Sequence, residues 1–225
     1  MARPANPVAH EALLEAARAE FARRGLGPAR VEDIARRAGV SKGAFYLHFR
    51  TKEAAFEVIL QRFLGVLEEH ARRRHEAEER FERAERSSSA PGDPIARRID
   101  FECAADADLL EILWRNRQIL AAIEGATGRP FTRLLADFRR RMRGLVASRI
   151  REHQAAGRLR RDVDAEVVAD IVLGTYEDFG RRMIEMKTRP DLAGWARSLL
   201  LVVYQGVLER PAAPPNPRRT RSHVS

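Results

Sequence analysis

The chain has 225 residues, 44% of them hydrophobic, which is enough for a substantial core and excludes wholesale disorder. Its 41 Lys and Arg against 32 Asp and Glu leave a net charge of +9, a balance that favours polyanionic partners such as nucleic acid or an anionic surface. A single cysteine, Cys103, excludes an intramolecular disulfide and suits a reducing cytoplasm. The N-terminus lacks the apolar run of a signal peptide, and no stretch approaches the roughly 20 apolar residues of a membrane span. The expected setting is therefore cytoplasmic, with no membrane partner.

Helical periodicity runs through the chain, and strand signals are scarce. The first helix is expected from Pro7 to Arg24, with Asn6 as N-cap, Pro7 at the first helical position and Gly25 as the stop. Leu13, Ala17 and Phe21 form its apolar stripe, with Leu14 beside them. Two short segments follow, Val31 to Ala38 and Lys42 to Phe49, hinged at Gly39. Thr51 then caps a fourth helix, apolar on one face early and almost all charge in "EEHARRRHEAEERFERAER". If it continues to Arg86 it is about 50 Å long at 1.5 Å per residue. The charge run at 68–86 reads as a solvated helix surface.

"SSSAPGDP" at 87–94 is the clearest loop. Helical segments are expected near 95–105, 107–124, 130–156, 164–187 and 191–209, and the Pro-rich basic tail 211–225 is expected to be disordered. The fold class is all-α with about nine helices. The expected division is 1–52, 53–210 and the tail.

The stretch "VEDIARRAGVSKGAFYLHFR", residues 31–50, has the pattern of a helix-turn-helix. Ala35 is small where the second helix crosses the first. Gly39 suits a turn that costs other residues energy. Ile34, Ala38, Val40, Phe45 and Phe49 fill the apolar slots, and Ser41 is placed to cap the second helix. Lys42, Gly43, Ala44, Tyr46, Leu47 and His48 are left outward. Small residues, a cation and hydrogen-bonding rings on one face suit a DNA major groove.

Residues 10–60, including "LLEAARAEFARRG" and "VEDIARRAGVSKGAFYLHFRTKEAAF", resemble the DNA-binding domain of the tetracycline-repressor (TetR/AcrR) family of transcriptional regulators. The rest of the chain matches in layout: length, helical content and a long fourth helix. The resemblance implies a homodimer on a palindromic double-stranded DNA operator, released by a small effector, and no enzyme activity or cofactor. Carried over by position, the base-contacting part of the recognition helix falls on Lys42, Gly43 and Ala44. Phosphate-contacting positions fall on Tyr46, His48 and Lys52, and Leu47 sits where some members add an apolar or phosphate contact. Family members usually carry Thr or Ser before the second helix, where this chain has Ala29 and Arg30. Losing that cap costs about 1 kcal/mol, offset in part by Glu32 and Asp33 in the first turn; Arg30 is then the expected substitute for the phosphate contact. Ala44 replaces a common Thr, removing a hydroxyl that reads a base.

The resemblance also places an effector among the later helices. Candidates to line its pocket are Phe101, Trp114, Phe138, Met142, Tyr176, Phe179 and Met183, and the expected ligand is of moderate size and mostly apolar. "VVADIVLGTYEDFG" and "WARSLLLVVYQGVL" occupy the family's dimer-interface positions, and their apolar stripes exceed what one bundle buries. His70 and His75 are five apart, poor spacing for two metal ligands on one helix face, and no metal site is expected. Cys103 reads as a small core residue. The alternative from another class is a basic architectural DNA-binding protein without an effector, for which so long a C-terminal region is unneeded.

Overall fold

The computed structural model describes residues 7–87, 93–124 and 129–207. Among them it forms nine α-helices and no strand. These are α1 (Pro7–Arg24), α2 (Val31–Arg37), α3 (Lys42–His48), α4 (Lys52–Arg86), α5 (Pro94–Arg115), α6 (Arg117–Glu124), α7 (Arg129–Ala155), α8 (Ala165–Glu185) and α9 (Leu192–Val207).

Local signals set most boundaries. Gly25 ends α1 at φ 79°, where its N–H bonds to Phe21 O at 2.8 Å. Ser41 Oγ accepts from the Ala44 N–H at 3.1 Å, and Thr51 Oγ1 accepts from the Ala54 N–H at 3.1 Å. Asp164 caps α8 in the same way through the Glu166 N–H, 2.8 Å away. The expected Asn6 cap, most of the loops at 87–94 and 124–130, and the tail 211–225 lie outside the described residues.

One boundary moves. The expected break near residue 106 is absent, because α5 continues through "CAADADLL", whose alanines are the strongest helix formers. The chain breaks at Asn116 instead, where the side-chain amide donates to Ile112 O at 2.8 Å at the end of α5.

One apolar core runs from Leu13, Ala17 and Phe21 on α1 through Ile34, Phe45 and Phe49 to Phe56 and Phe63 on α4. It continues without interruption past residue 52 to Leu110 on α5, Ile119 on α6, Met183 on α8 and Ala196 on α9. A smaller cluster joins Ala147 and Ile150 of α7 to Val168 and Ala169 of α8. Helix α1 packs on α2, α4 and α6, α5 lies against α9, and α7 against α8. Ion pairs tie α1 to α2: buried Glu20 meets Arg23 at 2.7 Å and Arg37 at 3.2 Å, and buried Asp33 meets Arg24 at 3.0 Å.

Helix α4 is continuous over its 35 residues. Its second half corrects the expectation of a uniformly solvated surface. Arg72, Arg73, Glu76 and Glu79 are exposed, but Glu78 is buried and Arg74 nearly so. Both turn toward α5 and α7, where guanidinium and carboxylate groups meet them.

Candidate functional site

Two places in the fold gather chemistry: the outer face of α3 and a cavity among α4, α5, α7 and α8. The first begins with its anchor. Phe45 is fully buried and packs edge-on against Tyr46, with centroids 5.6 Å apart, and Phe49 closes the far end of the helix. Burial of one such ring contributes about 1.5–3 kcal/mol, which fixes the rotation of α3 about its axis. Gly39 makes the turn at φ 70°.

With Phe45 pinned inward, Lys42, Gly43, Tyr46 and Leu47 are exposed, and Ala44 and His48 are half-buried. Leu47 is 60% and Tyr46 50% exposed, unusual for large apolar or aromatic groups on a helix of seven residues. A Cβ built on Gly43 would meet only Ser41 Oγ, at 3.7 Å, so packing does not demand glycine there. Lys42 Nζ lies 2.5 Å from Glu32 Oε1, and both groups are exposed. The hydrogen bond from Lys42 holds the Glu32 carboxyl below the ordinary range, and Glu32 in turn raises Lys42. His48 stands beside His10, ring centroids 5.5 Å apart.

Arg30 is the N-cap of α2, exposed, and gives no side-chain cap; its carbonyl accepts from the Asp33 and Ile34 N–H groups. Lys52 is engaged by its own fold: Nζ donates to Gly27 O at 2.6 Å and Ala29 O at 3.0 Å, tying the loop before α2 to the start of α4. An ammonium has three hydrogens, so one remains for a phosphate.

The second place is a cavity of about 350 Å³, walled largely by apolar groups such as Leu67, Leu145, Val168 and Val172. That volume falls at the low end of ligand sites, about 300–1,000 Å³. Of the seven residues expected to line an effector pocket, Met142 and Tyr176 line this cavity. The other five lie elsewhere, because core partners claim them. Phe101 stacks on Phe81 at 4.7 Å, and Trp114 carries the Arg117 guanidinium over its ring at 4.3 Å. Phe179 packs on Trp195 at 4.8 Å, and Met183 is fully buried in the core. Phe138 stacks on Phe63 and lines a separate cleft between α4 and α7 with Asp137, Arg140 and Arg141.

Polar groups missed in the sequence stand at one side of the cavity: His70 and Arg74 of α4, Glu102 and Asp106 of α5, Arg149 and His153 of α7. Arg74 binds Glu102 and Asp106 at once, and the Tyr176 hydroxyl also donates to Asp106. Arg98 bridges Glu78 and Glu102, and Arg149 reaches the same two at 3.2 and 3.3 Å. Arg158 Nε donates to His153 Nδ1 at 2.8 Å and its guanidinium also pairs with Glu82. Burial alone would raise the Glu102 carboxyl, but Arg74, Arg149 and Arg98 outweigh it and hold it at about 2. Burial pushes His153 down to about 4, so this ring is neutral and accepts at Nδ1.

Glu78, Glu102 and His153 bring ligand-type atoms within 4.8 Å of one another, the spacing of a three-donor cation site. Their chemistry does not fit one. Arg98, Arg149 and Arg158 already bond those atoms, and a divalent ion would have to displace guanidinium groups against their own charge. Cys103 is half-buried, and burial raises its thiol, away from the reactive range. No helix of the described residues is long and apolar enough to cross a membrane.

Comparison with known proteins agrees with the geometry of α1 to α4. Residues 13–59 match the model of bacterial regulatory proteins of the tetR family. The transcriptional repressor KstR2 of Mycolicibacterium smegmatis is 42% identical over 65 residues, 28% of this chain and 32% of that protein, so the match spans under a third of the relative's length. The fold of the whole chain is shared more widely. The ketosteroid transcriptional regulator KstR2 of Mycobacterium tuberculosis superposes with a TM-score of 0.60 at 21% identity, over 89% of this chain and 95% of that one. The fatty acid degradation regulator FadR of Bacillus halodurans gives 0.67 at 15% identity, over 88% and 98%. Residues 13–59 thus resemble the helix-turn-helix domain of bacterial regulatory proteins of the tetR family, and the remainder of the chain shares the fold of the solved regulators.

Proposed function

We propose that the protein is a cytoplasmic transcriptional repressor that binds a palindromic DNA operator as a homodimer and is released by a small, mostly apolar effector. The observation that carries this reading is the outer face of α3. A helix capped by Ser41 and anchored by Phe45 presents a cation, a glycine with free space above it, an alanine and hydrogen-bonding rings together. Lys42, Gly43 and Ala44 approach base edges in the major groove. Tyr46, His48, Arg30 and the third Lys52 hydrogen meet phosphates, and Leu47 contacts a thymine methyl or the backbone.

The dimer forms through α8 and α9. Val167 and Ile171 stand one turn apart on α8, and Ile171 is 59% and Val202 of α9 75% exposed. Such apolar groups on the two long C-terminal helices suit an isologous four-helix contact. Residues 1–52 are the DNA-binding unit, 53–210 the effector and dimer unit, and 211–225 a basic tail. The 350 Å³ cavity receives the effector, with Met142 and Tyr176 in its wall. Since α4 runs from the Lys52 contact with the loop before α2 to the cavity wall at His70 and Arg74, one helix joins the two units.

Selection of binding sites from random duplex DNA tests this reading. A palindrome with half-sites at least about one helical turn apart is the expected result. Retention that depends only on salt, with no enriched sequence, overturns it in favour of an architectural DNA-binding protein.

A further inference from the structure

The polar side of the cavity is nearly complete as an ion network. Arg74, Arg98, Arg149 and Arg158 stand against Glu78, Glu82, Glu102 and Asp106, so the charges cancel before any ligand enters. Two side-chain nitrogens of residues that line the cavity are left over. Arg74 Nε and His70 Nε2 are both closed to water and have no hydrogen-bond partner among the described residues. The two residues are four apart on α4 and so share one face of it. A buried donor without an acceptor costs about 1–3 kcal/mol, and such groups are rare in native structures.

The chemistry of these atoms is asymmetric. Arg74 Nε–H can only donate. His70 is kept neutral by burial and by the nearby Arg74 charge, so its Nε2 donates or accepts according to tautomer. An oxygen that accepts from Arg74, and either accepts from or donates to His70, completes both. A carbonyl or a hydroxyl does this. A carboxylate would bring a fourth negative charge beside Glu102, Asp106 and Glu152 of the same wall, and an ammonium has no acceptor to offer Arg74.

We infer that the effector is an uncharged, largely hydrocarbon molecule with one hydroxyl or carbonyl oxygen, seated against His70 and Arg74 with its body among Leu67, Leu145, Val168 and Val172. This rests on the reading of the cavity as the effector site. It excludes fatty acids in their ionised form and amines, and selects ketones, secondary alcohols and their cyclic equivalents.

The test uses the full chain and four probes on one skeleton: decyl methyl ketone, the corresponding secondary alcohol, dodecanoate and dodecylamine. Calorimetric titration and thermal melting are the readouts. The ketone and alcohol bind, and the carboxylate and amine bind at least about tenfold more weakly. Arg74→Lys retains a cation for Glu102 and Asp106 but deletes the Nε donor. His70→Phe retains the ring and deletes Nε2. Each lowers ketone affinity about tenfold, with circular dichroism verifying the fold. Should Arg74→Lys fail to fold, His70→Phe carries the test, because the Arg74 pairs with Glu102 and Asp106 do not involve that ring.

Tighter binding of the carboxylate or amine overturns the inference, as does ketone affinity untouched by the substitutions, or no binding by any probe. Binding to selected duplex DNA is measured separately. A chain that binds the ketone but no selected sequence sustains the ligand class and overturns the repressor. A chain that binds its duplex and none of the probes does the reverse.

Discussion

Acid should unfold this protein earlier than its carboxylates alone would dictate, and His153 is the reason. The ring is buried in the ion network, accepts from Arg158 at Nδ1, and has a pKa lowered from 6.5 to about 4. The folded value lies below the unfolded one, so the unfolded chain takes up the proton first as pH falls. Stability is therefore full above about 6.5 and drains away down to about 4. At about 1.4 kcal/mol per unit, roughly 2 kcal/mol is lost by about pH 5. Glu102, held at about 2, loses its contribution only as pH falls through its ordinary 4.5, so it adds little at pH 5 and more below that. His70 is lowered too and adds a loss of the same sign. Urea denaturation followed by circular dichroism, at neutral pH and near pH 5 with protein concentration fixed, measures the loss. His153→Gln supplies an acceptor to Arg158 without titrating, so the variant should lose distinctly less than the wild type. Equal losses in the two proteins, or no loss in the wild type, would refute the placement of a neutral histidine at the centre of this network.

Four further outcomes are expected. Ser41→Ala removes the acceptor of the Ala44 N–H and should cost about 1 kcal/mol in urea denaturation; duplex affinity should fall with it, because Lys42 to Ala44 form the turn that frays. Glu32→Gln frees Lys42 from its 2.5 Å partner, and the log–log salt dependence of duplex binding should steepen by about one counterion; an unchanged slope would mean that Lys42 does not reach phosphate. Gly43→Ala has room in the free protein and should raise helix stability by up to about 1 kcal/mol, yet weaken duplex binding if the backbone there lies against base edges; equal or better binding would move that contact off Gly43. Ile171→Glu places a charge on an exposed apolar stripe and should leave the fold intact while converting a dimer to a monomer in sedimentation equilibrium; an unchanged mass would put the dimer contact elsewhere.

The N-terminal part of the molecule, α1 to α4, was legible because its signals are local. Gly25, Gly39, Ser41 and Thr51 each act within four residues of themselves through a turn or a cap, and all four stand where the chain's chemistry requires. Phe45 and Phe49, four apart, announce a buried edge and so define the exposed one. The break expected near residue 106 failed for a related reason. Neither "AADA" nor its neighbours hold a breaker, and the real stop at Asn116 depends on one side-chain amide turning back on its own helix, which composition does not reveal.

The cavity was not legible, and its residues show why. Aromatic and Met side chains are the usual mark of a ligand wall, but Phe101, Trp114, Phe179 and Met183 are equally good core, and here Phe81, Arg117 and Trp195 were waiting for three of them. The groups that give the cavity its chemistry, Arg74 and His70, sit inside a run that reads as solvated charge. Within that run nothing separates Arg74 from Arg73: both have acidic neighbours in sequence. What separates them is that Glu102 and Asp106, one turn apart on α5, face Arg74 across a helix interface, while Arg73 meets only Glu69 of its own helix. An isolated guanidinium would not be buried at such a cost, and two isolated carboxylates would not either. Together they are stable only as a set, drawn from positions 28 and 32 residues away in the chain. A buried ion network is thus a tertiary fact. The atom it leaves unpaired, Arg74 Nε, cannot be foreseen until every other contact in the set has been drawn.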